Sequence, residues 1–236
     1  MPTLRSLLEG LPYAARLSAY LLGMRPSEAA PKDNVGDSYI FVHIPKNAGS
    51  SMADVLNMET SWHYTALQYR KMLGRIRYRR RFSFAFVRNP WDRFLSLYRY
   101  ARLEESRYHS AIDPESAPYG KHADYDLLCD ASVEDCARFL VEGRLRHDDF
   151  INHWRPQSDW LTDDDGKIIV DFVGRVESID ESFRTVAHRL DLDTDTLPVT
   201  NRSSDADGYR SAFTDVARNI VAEHYQEDIE RFGYSF

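Results

Sequence analysis

A chain of 236 residues is long enough for one sizeable core and too short for two full catalytic domains. Hydrophobic content of 43% with 28% charged residues is ordinary for a globular protein, and a net charge of −7 argues against a general nucleic-acid binder. A small anion is not excluded, because a few placed arginines and amides make a local site whatever the total charge.

Residues 1–37 scatter their apolar positions among Arg5, Glu9, Pro12 and Arg16, which makes a poor secretory signal. They read as an arm, with a surface helix, ahead of a domain over 38–236. No apolar run approaches the roughly 18 residues needed to span a bilayer. Cys129 and Cys136 can build neither a disulfide framework nor a zinc site, and Cys136 reads as a small buried hydrophobe.

Ser38–Ile44 (SYIFVHI) has the β-branched and aromatic content of a buried strand, with His43 a structural histidine inside it. Pro45-Lys46-Asn47-Ala48-Gly49-Ser50-Ser51 follows, and a helix opens near Ser50 with Met52, Val55 and Leu56 inward. A loop at a strand end that feeds a helix start points unpaired amides at one spot, which favours an anion. Gly49 permits close approach, Ser50 and Ser51 offer hydroxyls, and Lys46 adds a mobile charge. The lysine precedes the glycine, the reverse of the ATP-binding P-loop; an ordinary strand-to-helix turn with a solvent lysine is the competing reading.

Tyr64–Leu73 reads as a helix running into a basic tract from Arg70 to Arg81, either a solvated face or an anion-attracting rim. Phe82–Val87 (FSFAFV) is a second buried strand. Asn89-Pro90 then starts a helix, asparagine as N-cap and proline at the first position, with Trp91, Phe94, Leu95, Tyr98 and Ala101 at helical spacing. Arg88 stands at this second strand end, and Arg93 and Ser96 share one helical face. Surface ion pairing competes as a reading for Arg93 and Arg99, less so for Arg88.

Residues 105–131 are irregular and read as a flap over a site. Ser132 and Asp135 form a variant capping box, whereas Ser178 and Glu181 form a regular one. Asp163-Asp164-Asp165-Gly166 reads as a hairpin turn, and Leu161 and Phe172 at the terminal ligand positions exclude a calcium loop. A last helix spans about Thr214–Arg231. Strands alternating with helices predict an α/β fold, one P-loop-like domain with a central, mainly parallel sheet flanked by helices.

Taken together, PKNAGSS and FVRNPWDRFLSLY resemble the paired cofactor signatures of sulfotransferases that use 3′-phosphoadenosine-5′-phosphosulfate (PAPS). The chain is most similar to the carbohydrate, heparan-sulfate 2-O-sulfotransferase-like type, especially its short bacterial members. His63-Tyr64-Thr65-Ala66, His153-Trp154-Arg155-Pro156-Gln157, Asp171–Glu177 and Asp228–Tyr234 extend the likeness over residues 38 to 236.

The resemblance implies PAPS as co-substrate, 3′-phosphoadenosine-5′-phosphate as product and no metal. It implies that Lys46, Asn47, Ala48, Gly49, Ser50 and Ser51 hold the 5′-phosphosulfate, and that Arg88 and Ser96 hold the 3′-phosphate. Asn201-Arg202-Ser203 matches a tripeptide that closes over the nucleotide, making Arg202 a further contact. Asn47 replaces a commoner threonine, which keeps an amide and loses a hydroxyl. Lys46 is expected over the bridging oxygen, where charge accumulates as the phosphate–sulfate bond breaks.

His63 is the first candidate for the acceptor's base, because related 2-O-sulfotransferases use a histidine between the two motifs; capping or orienting the following helix is the alternative. His153 is a second candidate base or an acceptor contact. Glu177 is a third, with pairing to Arg175 as its alternative. The partner is a hydroxyl-bearing saccharide rather than nucleic acid, and lack of an anchor suggests a cytoplasmic bacterial enzyme. Two other classes stay open: a small-molecule P-loop kinase, which lacks its GxxxxGK[ST] here, and a non-catalytic nucleotide or polyanion module, which needs neither Lys46 nor His63.

Overall fold

The computed structural model describes residues 34–58, 63–104, 121–145, 152–198 and 208–236. Among them, three strands form a parallel sheet in chain order: β1 (Tyr39–Phe41), β2 (Phe82–Val87) and β3 (Phe172–Arg175). The protein is α/β, as the alternation of strands and helices predicts.

The period-two side-chain alternation of the strands builds two faces. Ile40, Val42, Ala85 and Val87 point to one face, where they pack with Tyr69 of α2 (Ala66–Leu73) and Trp160 of α7 (Ser158–Leu161). Phe41, Phe84 and Phe86 point to the other, against Met52 of α1 (Gly49–Val55) and Phe183 and Val186 of α8 (Ile179–Leu190). Both faces are covered, which is why these strands read as continuous apolar runs. A third core is helical: α4 (Pro90–Ala101), α6 (Val133–Val141) and α9 (Asp215–His224) meet around Phe94, Leu97, Cys136 and Val221. The remaining helices are α3 (Arg75–Arg79), α5 (Tyr125–Leu128) and α10 (Gln226–Phe232).

Several local expectations change. β1 is shorter than Ser38–Ile44, because after Val42 donates to Phe84 O the chain leaves the sheet for the loop. The regular box at Ser178 makes no side-chain cap; Ser182 instead accepts Arg175 N and so ties the helix to the end of β3. The variant box at Ser132 forms fully, and Thr65 with Gln68 makes another that starts α2. The hairpin at Asp163–Gly166 is reduced to a tight turn with one antiparallel bridge, Thr162 to Ile168. The last helix breaks at Tyr225, whose hydroxyl is drawn into the core to donate to Trp154 O at 2.6 Å. Cys136 is buried and free, as expected, and Cys129 is free and half-buried.

Candidate active site

Because the strands are parallel and consecutive, the C-terminal ends of all three open on one edge, the usual place for a site in such sheets. There Lys46 and Ala48 both adopt left-handed backbone, φ 68° and 61°. Neither is glycine, so each conformation costs on the order of 1–2 kcal/mol. The two left-handed steps turn the chain sharply into α1, and Asn47 N between them donates back to Ile44 O at 3.3 Å. Helix α1 starts without any side-chain cap, so its first amides have no such partner within the helix. Gly49 is required on a second count: a Cβ there would lie 1.6 Å from His43 Nε2, so the helix start rests directly on that ring.

Arg88 leaves the end of β2 and grips Asp92 with two bonds, Nε to Oδ2 at 2.6 Å and NH2 to Oδ1 at 2.8 Å. A third donor reaches Lys46 O at 3.3 Å, joining the two motifs directly. Ser96, one turn beyond Asp92 on α4, continues the same face.

A buried bridge lies beneath this contact. Asn47, 1% exposed, donates to Phe86 O at 2.8 Å and to Gln157 Oε1 at 2.7 Å. The same Gln157 oxygen accepts Arg88 N, while its Nε2 donates to Arg88 O at 2.8 Å. Asp228 holds this residue in turn, accepting the amides of Gln157 and Ser158 at 2.7 Å each. Burial raises the Asp228 pKa, and the two amides work against that rise. The asparagine that replaces threonine is therefore a crosslink, its side chain spent on Phe86 O and Gln157 and its N–H on Ile44 O. Gln157→Leu leaves Arg88 N and O without this partner at about 1–3 kcal/mol per buried group. The expected outcome is a thermal midpoint lower by about 2–4 °C per kcal/mol lost, checked by calorimetry.

Arg93 overturns the reading of a surface ion pair. It is 1% exposed and donates to three carbonyls: Pro45 O at 3.2 Å, Arg155 O at 3.1 Å and His153 O at 2.6 Å. Burial lowers its pKa, with the Tyr225 and Asp228 neighbours opposing. One cation thus pins the phosphate-type loop to the segment that carries His153.

The histidines gather beside the loop. His63 Nδ1 lies 2.9 Å from His43 O. A carbonyl only accepts, so Nδ1 carries the proton and the Nε2 of the neutral ring is left as the basic nitrogen. Thr65 caps α2, which removes helix capping as a task for His63. Its ring lies 4.2 Å from that of His43 and 5.2 Å from that of His153, centroid to centroid. His43 is held well below the usual imidazole range, first by burial and then by His63 and Lys46, so it stays neutral near pH 7.

Two further residues were not singled out in the sequence. His122 packs 5.8 Å from His153, and Tyr100 lies 6.1 Å from His122 with Lys46 Nζ 4.4 Å over its ring. Tyr100 lies on α4 one turn beyond Ser96, and His122 lies within the stretch 105–131 that reads in the sequence as a flap; only that expectation pointed at it. Glu177 is occupied elsewhere, accepting Asn89 N and Tyr234 OH, and Arg175 reaches Phe232 O rather than Glu177. Arg202 lies outside the described residues.

The sequence profile of the sulfotransferase family matches residues 34–235, nearly the whole chain. The protein belongs to the sulfotransferase family. No curated protein and no solved structure matches it. In this sulfotransferase the strand-end loop, Arg88 and the histidine group stand together at one end of the sheet. Among the described residues no three His, Cys, Asp or Glu side chains are placed to hold a metal ion together, and no helix is long and apolar enough to cross a membrane.

Proposed function

We propose that this sulfotransferase moves the sulfuryl group of PAPS to a carbohydrate hydroxyl, in line, with His63 as the base. The observation that carries this reading is the junction of the two motifs, Arg88 on Lys46 O above the Asn47–Gln157 bridge. A donor with phosphate groups at two ends needs two anion sites at a set separation, and that junction supplies one. The amides from Ala48 to Ser51 and the Lys46 cation take the 5′-phosphosulfate, while Asn47, whose N–H donates to Ile44 O, braces the loop. Arg88, its plane held by Asp92, and Ser96 take the 3′-phosphate, with Arg202 a further contact. His63 Nε2 takes the acceptor's proton, and His153, His122 and Tyr100 line the acceptor's side.

Titration with 3′-phosphoadenosine-5′-phosphate tests this reading. Tight binding that is indifferent to magnesium is expected, and a preference for magnesium-ATP over the bisphosphate refutes it.

A pH dependence follows from Lys46. Burial, and then the charge of Arg88, push its pKa down to about 8. The cation is the form that holds an anion. Donor kcat/KM should therefore fall as pH rises through about 8, approaching tenfold per pH unit, and Lys46→Arg should move that fall beyond pH 10. Stability runs the other way. Folding depresses the Lys46 pKa, so the unfolded chain binds more protons between about 8 and 10.5, and this group's contribution to stability rises with pH across that window. Thermal midpoints of the wild type and Lys46→Met over pH 7–10 check the sign.

A further inference from the structure

We propose a second anion site at the opposite end of the sheet, in a cleft that takes a ligand bearing at least two sulfate or phosphate groups. The cleft, about 450 Å³, lies where α3 and β2 meet the C-terminal end of α8. That volume is within the range of small-molecule sites, about 300–1,000 Å³. β2 has six residues, so its start lies about 17 Å from its end at Val87, and the cleft is separate from the Lys46 edge.

Four arginines and a histidine line it: Arg79, Arg80, Arg81, Arg189 and His188. The structure divides the basic tract into two parts. Its beginning is neutralised, because Arg70 pairs with Asp163 at 3.3 Å and Lys71 with Asp164 at 3.8 Å. Its end is not: among the described residues no carboxylate pairs with Arg79 or Arg80, nor with Arg189 of α8 beside them. Asp171 is the acid in the lining, and its Oδ2 is turned onto Ser83, accepting N and Oγ at 2.8 Å each.

Two of the arginines are already oriented. Arg81 donates to Gly36 O and Arg77 O, and Arg189 stacks 5.6 Å from the Phe82 ring. The negative ends of α3 and α8 account for one cation each. They leave a surplus of charge, concentrated in one cleft of a chain whose net charge is −7. Arginine rather than lysine fits sulfate and phosphate, since its planar fork bonds two oxygens at once.

The test uses two probes, tripolyphosphate and a fully sulfated disaccharide, each titrated calorimetrically into the full chain. Because either could also enter the loop at Lys46, the titrations use the Lys46→Ala/Arg88→Ala background, which makes them independent of whether the bisphosphate binds. Adding Arg79→Gln, Arg80→Gln and Arg189→Gln to that background should weaken binding by about tenfold or more, as expected for lost charge-assisted bonds. The same three changes in the wild type should leave the affinity for 3′-phosphoadenosine-5′-phosphate within about twofold, since added salt already screens charges that far apart. The tighter probe identifies the ligand's source, a phosphate compound or a sulfated sugar. Absence of binding by both probes, or binding that survives the three substitutions, overturns the site.

Discussion

Lys46→Ala should lower sulfuryl transfer by about 10³-fold while 3′-phosphoadenosine-5′-phosphate still binds within about tenfold of the wild-type affinity, the pattern expected of a group whose contact strengthens in the transition state. In a loose in-line transfer, negative charge builds on the oxygen between phosphorus and sulfur. A cation placed there is worth more at that moment than in the bound ground state. Alanine occupies the same left-handed backbone as the lysine, and Ala48 already does so two residues on, so the loop keeps its shape. The bond from Arg88 goes to Lys46 O, a backbone atom, and survives the change. Single-turnover rates beside equilibrium titrations separate the two effects. A variant that loses affinity and rate in equal measure makes Lys46 a ground-state contact instead.

The second large effect is at His63. His63→Ala should reduce kcat by about 10²–10⁴-fold at saturating acceptor, with donor affinity unchanged. His63→Asn is the sharper control, since its amide can still donate to His43 O as Nδ1 does, yet offers no basic nitrogen. Asparagine should therefore keep the thermal midpoint and lose the rate. If His63→Ala turns over at close to the wild-type rate, the base lies elsewhere, and His153, 5.2 Å away ring to ring, is the next to test.

The two strand-end motifs were legible because each is local. An apolar run, a turn and a helix start lie within about fifteen residues, and Asn89 caps α4 on Trp91 N as its type predicts. What failed in the sequence was mostly a matter of partners distant along the chain. Ser178 carries the better capping pattern, yet Ser182 is used to tie the helix to β3. Arg93 looks like any helix-surface arginine, and nothing near it in sequence announces carbonyls at Pro45, His153 and Arg155. His122 had no motif at all.

By itself, then, the sequence determined the α/β alternation, the strand-end loop with its early lysine, the arginine opposite it and the resemblance to sulfotransferases, because periodicity, capping and turn chemistry act between near neighbours. Only the tertiary structure decided what joins them. Gln157 locks Asn47 to Arg88 across 110 and 69 residues of chain, and Arg93 binds the histidine segment to the loop. The basic tract likewise divides, because its first two cations, Arg70 and Lys71, reach the acids Asp163 and Asp164 some 93 residues away. Those partners are chosen by burial, since a polar group removed from water has to bond whatever the fold brings within reach.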